Sequence, residues 1–363
     1  MTYNYLYIDD AEDSVRESFA KTLSGDGIQI TTIHVSDLVL EDTDKITENI
    51  NKYDGLLLDL RLDEMSLEGK KRTPFTATVY AQHIRSMVTN GILTKDVPIV
   101  LFSTDDKLQK VYSVDLTSQD LFDRYIEKTK IPSNAKLKLF SLSHGYQIIN
   151  NNKNLNEIIG LKTLEYIDER IFARFSENAT LIPTHEYAQT ILKDLIYISG
   201  PLINELTLAA RLGIDIEKSD GWEEVKNYFQ EAKYTGVFSD GWDRWWMHLI
   251  DDIFYTNTNT YLSYLDASER VELIKKVSKI ENLITAKPLE KNHSTRFWTY
   301  CKVLEKPLDP LEGFKIYTAM EPKPWQDYEY CSLISILEQK HKEKNITIHS
   351  CDKERLSLIL SEY

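Results

Sequence analysis

One short stretch limits the folds open to this chain more than any other. Residues Lys52 to Arg61 read KYDGLLLDLR, so Leu56, Leu57, Leu58 and Leu60 surround one carboxylate, Asp59. A brief apolar run of this kind predicts a strand buried on both faces. An unpaired carboxylate at mid-depth in such a strand costs roughly several kcal/mol, or takes up a proton. Asp59 is therefore expected at the carboxyl end of the strand, where an open α/β sheet presents its ligand crevice.

The neighbouring sequence alternates strand and helix around this run. Tyr5 to Asp10 reads as an apolar strand closed by two adjacent acids, and Asp13 to Leu23 as a helix stopped at Ser24 to Gly27. Ile28 to Val35 predicts a strand and Asp37 to Tyr53 a helix. Past the organising strand, helical spacing returns from Phe75 to Val88. Val97 to Ser103 is a strand ending in a hydroxyl, Leu108 to Val114 has helical spacing, and Leu121 to Ile126 is a short strand before Lys128. This alternation implies a parallel sheet wound on both sides, with its strand ends converging at one edge. Asp9, Asp10, Asp59, Ser103 and Lys128 all fall at or just past such ends. Carboxylate oxygens suit a hard cation such as Mg²⁺. A lysine and a hydroxyl beside them suit a phosphate-bearing anion.

With these residues in order, the first 130 or so positions resemble the receiver domain of bacterial two-component response regulators. The resemblance implies a flavodoxin-like, doubly wound five-stranded sheet. It matches Asp9 and Asp10 to the acidic pair after the first strand, Asp59 to the phosphoacceptor and Ser103 to the hydroxyl ending the fourth strand. Lys128 matches the lysine after the fifth strand, and Tyr125 the aromatic switch position. It further implies Mg²⁺ held by Asp9, Asp10, Asp59 and the Arg61 backbone carbonyl. The implied partner is a sensor histidine kinase or related ATPase whose phosphohistidine Asp59 attacks. Ser103 would then bond the new phosphoryl group, and Tyr125 would turn inward in a two-state phosphorelay switch. Two departures stand out. Residues Glu64 to Thr73, with Lys70, Lys71 and Arg72, lengthen the connection after Asp59, as a docking loop, a lid or a plain solvated loop. Lys128 is followed by Thr129 where proline is usual in the family. Each site residue also has a plainer reading: Asp9 and Asp10 as caps of the helix near Asp13, Asp59 as a structural acid, Lys128 as a surface lysine, Ser103 as a loop hydroxyl and Tyr125 as a core aromatic.

The expected organisation is a receiver-like domain over residues 1–131, a linker or connector helix over 132–154, and a mainly α-helical output domain over 155–363. That last part ends in a small α+β portion with short strands near 314–350. Ile158, Leu161, Leu164, Ile167, Ile171 and Phe175 recur at helical spacing, as a core face or a dimerising seam. Tyr187 to Leu212 reads as an apolar helical hairpin broken at Gly200 and Pro201. Ser-Asp-Gly-Trp occurs at Ser219–Trp222 and again at Ser239–Trp242, each read as a helix N-cap with an acid following. His248 and Asp252 stand four apart, on one face of an expected helix that crowds Trp242, Trp245 and Trp246.

Charge then narrows the function classes. The net charge of −14 has the wrong sign for a phosphate-backbone binder, and no helix-turn-helix with a basic recognition helix is evident. DNA is thus not the expected partner. No apolar run reaches the ~18 residues of a membrane helix, and the opening residues, which enter a strand pattern at once, do not read as a secretory signal. A cytoplasmic protein is expected, with Cys301, Cys331 and Cys351 as reduced thiols rather than a disulfide or zinc site. No Gly-rich phosphate loop, HExxH or GxSxG is present. Three readings stay open: a phosphorylated receiver controlling a helical module through protein contact, with homodimerisation compatible; a receiver-like scaffold in a multiprotein complex that works without phosphate; and an enzyme built around His248, Asp251 and Asp252.

Overall fold

The structure, a computed structural model, describes residues 1–38, 42–62, 76–104, 120–175 and 181–361. The expected 64–73 insertion and 108–114 helix lie outside the described residues. The chain forms two compact units: residues 1–193 with 235–242, and residues 194–234 with 243–363.

The first unit is built on five parallel strands, β1 (Tyr3–Asp9), β2 (Ile28–His34), β3 (Gly55–Leu58), β4 (Ile99–Ser103) and β5 (Arg124–Glu127), in the order β2-β1-β3-β4-β5. This is the flavodoxin-like, receiver-type order. Strand side chains alternate between faces, and the sequence assigns each face its helices. Leu6, Ile8, Leu56, Leu58, Ile99 and Leu101 point to one side. There they pack with Ile46 and Ile50 of α2 (Thr43–Lys52) and Tyr80, Ala81 and Ile84 of α3 (Ala77–Thr89). Tyr3, Tyr5, Tyr7 and Phe102 point to the other side. Phe19 of α1 (Asp13–Leu23) meets Phe102 with ring centroids 5.3 Å apart, and Phe140 of α4 (Ala135–Asn151) meets Tyr3 at 5.1 Å. Gly55 is required by this packing, because a Cβ there would sit 2.2 Å from the Tyr5 ring.

At the amino ends of β4 and β5 lies a buried charge cluster that no sequence pattern announced. Arg85 of α3 donates to Asp96 at 2.7 Å and to Asp123 at 2.9 Å. Tyr146 of α4 donates to Asp123 at 2.6 Å, and the His185 backbone N–H donates to Asp96 at 2.7 Å. Burial alone would raise the Asp96 carboxyl, but Arg85 and His185 outweigh it and hold it below its ordinary value; at Asp123 burial prevails and raises it. These bonds fasten α4 and the helix α7 (Thr184–Thr190) to the sheet.

The expected continuous helical face over 155–175 is instead broken into α5 (Leu155–Ile159), α6 (Glu169–Phe172) and a 3-10 turn at Ala173–Phe175. Gly160 ends α5 in the left-handed region at φ 68°, and Asp168 caps a fresh start by accepting the Arg170 N–H. The segment 235–242 returns to this unit late in the chain. There the Val237 N–H bonds the Ile158 carbonyl at 2.7 Å and the Gly241 N–H bonds Ser141 Oγ at 3.0 Å.

The second unit pairs β6 (Leu202–Ile203) with β7 (Trp245–Trp246) beside α8 (Glu205–Leu212), α9 (Trp222–Tyr228), α10 (Met247–Thr258) and α11 (Ala267–Ser278). Its second sheet takes the order β10-β11-β8-β9 from β8 (Thr299–Cys301), β9 (Lys306–Leu308), β10 (Phe314–Lys315) and β11 (Tyr330–Cys331). Neither Ser-Asp-Gly-Trp copy caps a helix with its aspartate. The N-cap of α9 is Gly221, and after the second copy the chain first pairs as β7, so α10 begins at Met247. Cys301 and Cys331, distant in sequence, are brought beside Ser332 and Ser335 as buried free thiols.

Candidate functional site

Parallel register sets the site. Ile8 stands opposite Leu58, and Leu58 opposite Leu101, so Asp9, Asp59 and Ser103 emerge together at the carboxyl edge of three adjacent strands. Ser103 stands opposite Glu127, and its carbonyl accepts the Lys128 N–H at 2.8 Å, which brings the lysine to the same edge. Asp9, Asp10 and Asp59 each offer a carboxylate oxygen within 4.8 Å of the others. Lys128 Nζ bridges two of them, 2.5 Å from Asp9 and 2.6 Å from Asp59.

The surroundings hold this arrangement tightly. Asp9 and Asp59 are each 1% exposed. Tyr7 donates its hydroxyl to Asp9, the Ala11 N–H bonds Asp9 at 2.8 Å, and the Arg61 N–H bonds Asp59 at 3.0 Å. Burial works to raise the Asp9 carboxyl, but Lys128, Tyr7 and the Ala11 amide together leave it below its ordinary value. Burial and the neighbouring Asp9 push the Tyr7 phenol up, so it stays a protonated donor. The ammonium lies over the rings of Tyr7, Phe19 and Phe102 at 5.5 to 5.7 Å, which shields its ion pairs from water. Ser103 Oγ is buried with no hydrogen-bond partner among the described residues, a costly state unless another oxygen completes it.

The residues singled out from sequence fall as follows. Asp9, Asp10, Asp59 and Lys128 meet in one notch, and Arg61 and Ser103 border it. Asp9 does not cap α1: its backbone bond is to Ala11, and α1 starts from Glu12 without a side-chain cap. Tyr125 lies on β5 opposite Leu101 and packs against the core on the α2 and α3 face. In the second unit, burial pushes Asp251 up to about 6 and the His248 imidazole down. Sequence reasoning missed Tyr7, Phe19, Phe102 and also His34, whose Nε2 lies 3.2 Å from the Asp10 carbonyl. The alternation of Tyr3, Tyr5 and Tyr7 was the available signal for Tyr7, since an aromatic phenol one turn of the pleat before Asp9 shares its face.

The donor set fits a hard divalent cation. Three carboxylates and one ammonium leave two negative charges uncompensated, and all the candidate ligands are oxygens.

No family model and no curated protein matches the chain. Among solved structures it is similar to the adenylate cyclase from Rhodopirellula baltica, at 16% identity over 42% of this chain and 94% of that one, with a TM-score of 0.28. It is also similar to the BeF3-activated N-terminal receiver domain of Klebsiella pneumoniae RstA, at 17% identity over 39% and 97%, TM-score 0.27. A third is the Legionella pneumophila response regulator LqsR, at 12% identity over 64% and 76%, TM-score 0.25. The receiver neighbours cover the N-terminal part that carries the five-stranded sheet. The fold assignment rests on the strand order and register given above.

Proposed function

We propose that the N-terminal part is a phosphoacceptor receiver, with Asp59 the nucleophile and the rest of the chain its output. The observation that carries this reading is Lys128 bridging Asp9 and Asp59 in a notch that also holds Asp10 and the orphaned Ser103 hydroxyl. An Asp59 oxygen forms the new bond to phosphorus as the phosphorus–nitrogen bond of a phosphohistidine on a partner kinase breaks, giving an acyl phosphate. Lys128, preoriented by two carboxylates and three rings, stays within reach of the added negative charge. Ser103 Oγ gains the acceptor it lacks. Asp9, Asp10 and Asp59 would hold Mg²⁺, which when bound supplies positive charge to the transferring group. The acidic chain favours an output by protein contact rather than by nucleic-acid binding.

The test is phosphotransfer from acetyl phosphate with and without Mg²⁺, read by intact mass. One phosphoryl group should appear with Mg²⁺ and none on Asp59→Asn. A correctly folded wild-type protein that gains none would leave the scaffold reading in its place.

A further inference from the structure

The second unit carries a polar cleft of its own. A cleft of about 150 Å³ opens between α8, β8 and the residues before β11, and its walls include Tyr197, Asn204, Thr207, Arg244, Tyr300 and Lys302. Its polar groups converge rather than pair off. The two acids on its wall are already neutralised: Asp327 by Arg211 at 2.7 Å, and Glu329 by Lys302. Arg244 is different. Its Nε donates to the Ile196 carbonyl and its Nη1 to the Asp243 carbonyl, each at 2.8 Å. The Asp243 carboxylate is taken by Lys233 at 2.8 Å, and among the described residues no carboxylate pairs with the Arg244 guanidinium. Burial accordingly pushes its pKa down, against the pull of the tyrosines and Asp243.

The neighbouring donors are held ready. Asn204 Oδ1 accepts the Thr207 N–H at 2.8 Å, which turns the Asn204 amide nitrogen toward the Tyr300 hydroxyl at 3.4 Å. The Tyr300 oxygen accepts there, so its own proton is available to a ligand. A half-buried guanidinium fixed by two carbonyls, with spare N–H groups and beside a phenol with a spare proton, matches the planar fork by which arginine takes an oxyanion.

We infer that this cleft binds the oxyanion of a small metabolite, a carboxylate or a phosphate, on Arg244 and Tyr300. The volume admits a compact anion. The surplus positive charge at Arg244 is unusual in a chain with a net charge of −14.

The test uses the full chain without added divalent cation, so that the receiver notch is not loaded. Inorganic phosphate and acetate are titrated calorimetrically, each against chloride at equal ionic strength. At least one should bind saturably in the millimolar range; acetate alone assigns a carboxylate ligand, phosphate alone a phosphate ester. Arg244→Met should weaken the binding tenfold or more, which is about 1.4 kcal/mol, and Tyr300→Phe severalfold. If Arg244→Met loses its native circular dichroism, Tyr300→Phe carries the test. Binding no stronger than chloride, or folded variants that bind as the wild type does, overturns the assignment.

Discussion

Replacing Lys128 by Met removes a cation held by two buried acids. The side chain keeps its apolar stem among Tyr7, Phe19 and Phe102 and loses only its ammonium. Contacts of 2.5 and 2.6 Å correspond to a gross attraction of about 6 kcal/mol each at an effective dielectric of about 20. Desolvation cancels much of this, and breaking such a buried pair from one side costs about 3–5 kcal/mol net. The pH dependence is the sharper signature. In the wild type the Asp9 carboxyl is held below its ordinary value, so it contributes stability above its unfolded pKa of about 3.9, lost only as pH falls through the lower folded value. Without Lys128 burial prevails and the folded pKa rises above the unfolded one. The variant then loses stability as pH rises from about 4 through that raised value. Its deficit is smallest in mild acid and largest at neutral pH. Urea unfolding between mild acid and neutrality reads the deficit, with hydrogen exchange of the β1 and β3 amides as the local measure. A neutral-pH deficit below about 1 kcal/mol, or one indifferent to pH, would refute the claim that Lys128 holds this notch together.

Ser103→Ala should stabilise the unphosphorylated protein by about 1 kcal/mol, because it removes a buried hydroxyl that has no partner among the described residues; a loss of stability in the same urea assay would show that the hydroxyl is satisfied. Arg85→Met should cost about 3–5 kcal/mol, since it strands Asp96 and Asp123 below the sheet; unchanged unfolding would rule out a structural role for that cluster. Under native conditions one thiol per chain should react promptly with an aromatic disulfide reagent, namely the exposed Cys351, with Cys301 and Cys331 reacting only after denaturation. Rapid reaction of all three would contradict their burial.

The sheet was legible because its central strands are buried on both faces. Leu56 to Leu58 and Val97 to Phe102 are near-continuous apolar runs, and a carboxylate or hydroxyl at the end of such a run marks the sheet edge. Strand β5 lies at the edge and is half-buried, so its pattern is weaker. It sits at Arg124–Glu127, where the apolar residues alone placed it at 121–126. The helix expected across 155–175 had the right spacing, but Gly160 and Asp168 are stop and start signals that the periodicity overrode. The charge cluster was illegible for another reason. Arg85, Asp96, Asp123 and His185 belong to no motif in the sequence, and only the packing of α3, α4 and α7 makes them partners. In the second unit the short strands expected near 314–350 appear as β10 and β11, while β6 and β7, of two residues each, are too short for alternation to register. The meeting of Cys301 with Cys331, and of Arg244 with Tyr300, depends on long-range contacts that no local pattern encodes.

The central claim is that Asp59 forms an acyl phosphate. Reduction with borohydride converts such a group to an alcohol at the residue that carried it, and peptide mass mapping then locates it. After treatment with acetyl phosphate and Mg²⁺, the reduced side chain should appear at position 59 and at neither Asp9 nor Asp10. Reduction at another aspartate would contradict the account, as would none at all in protein shown to be folded.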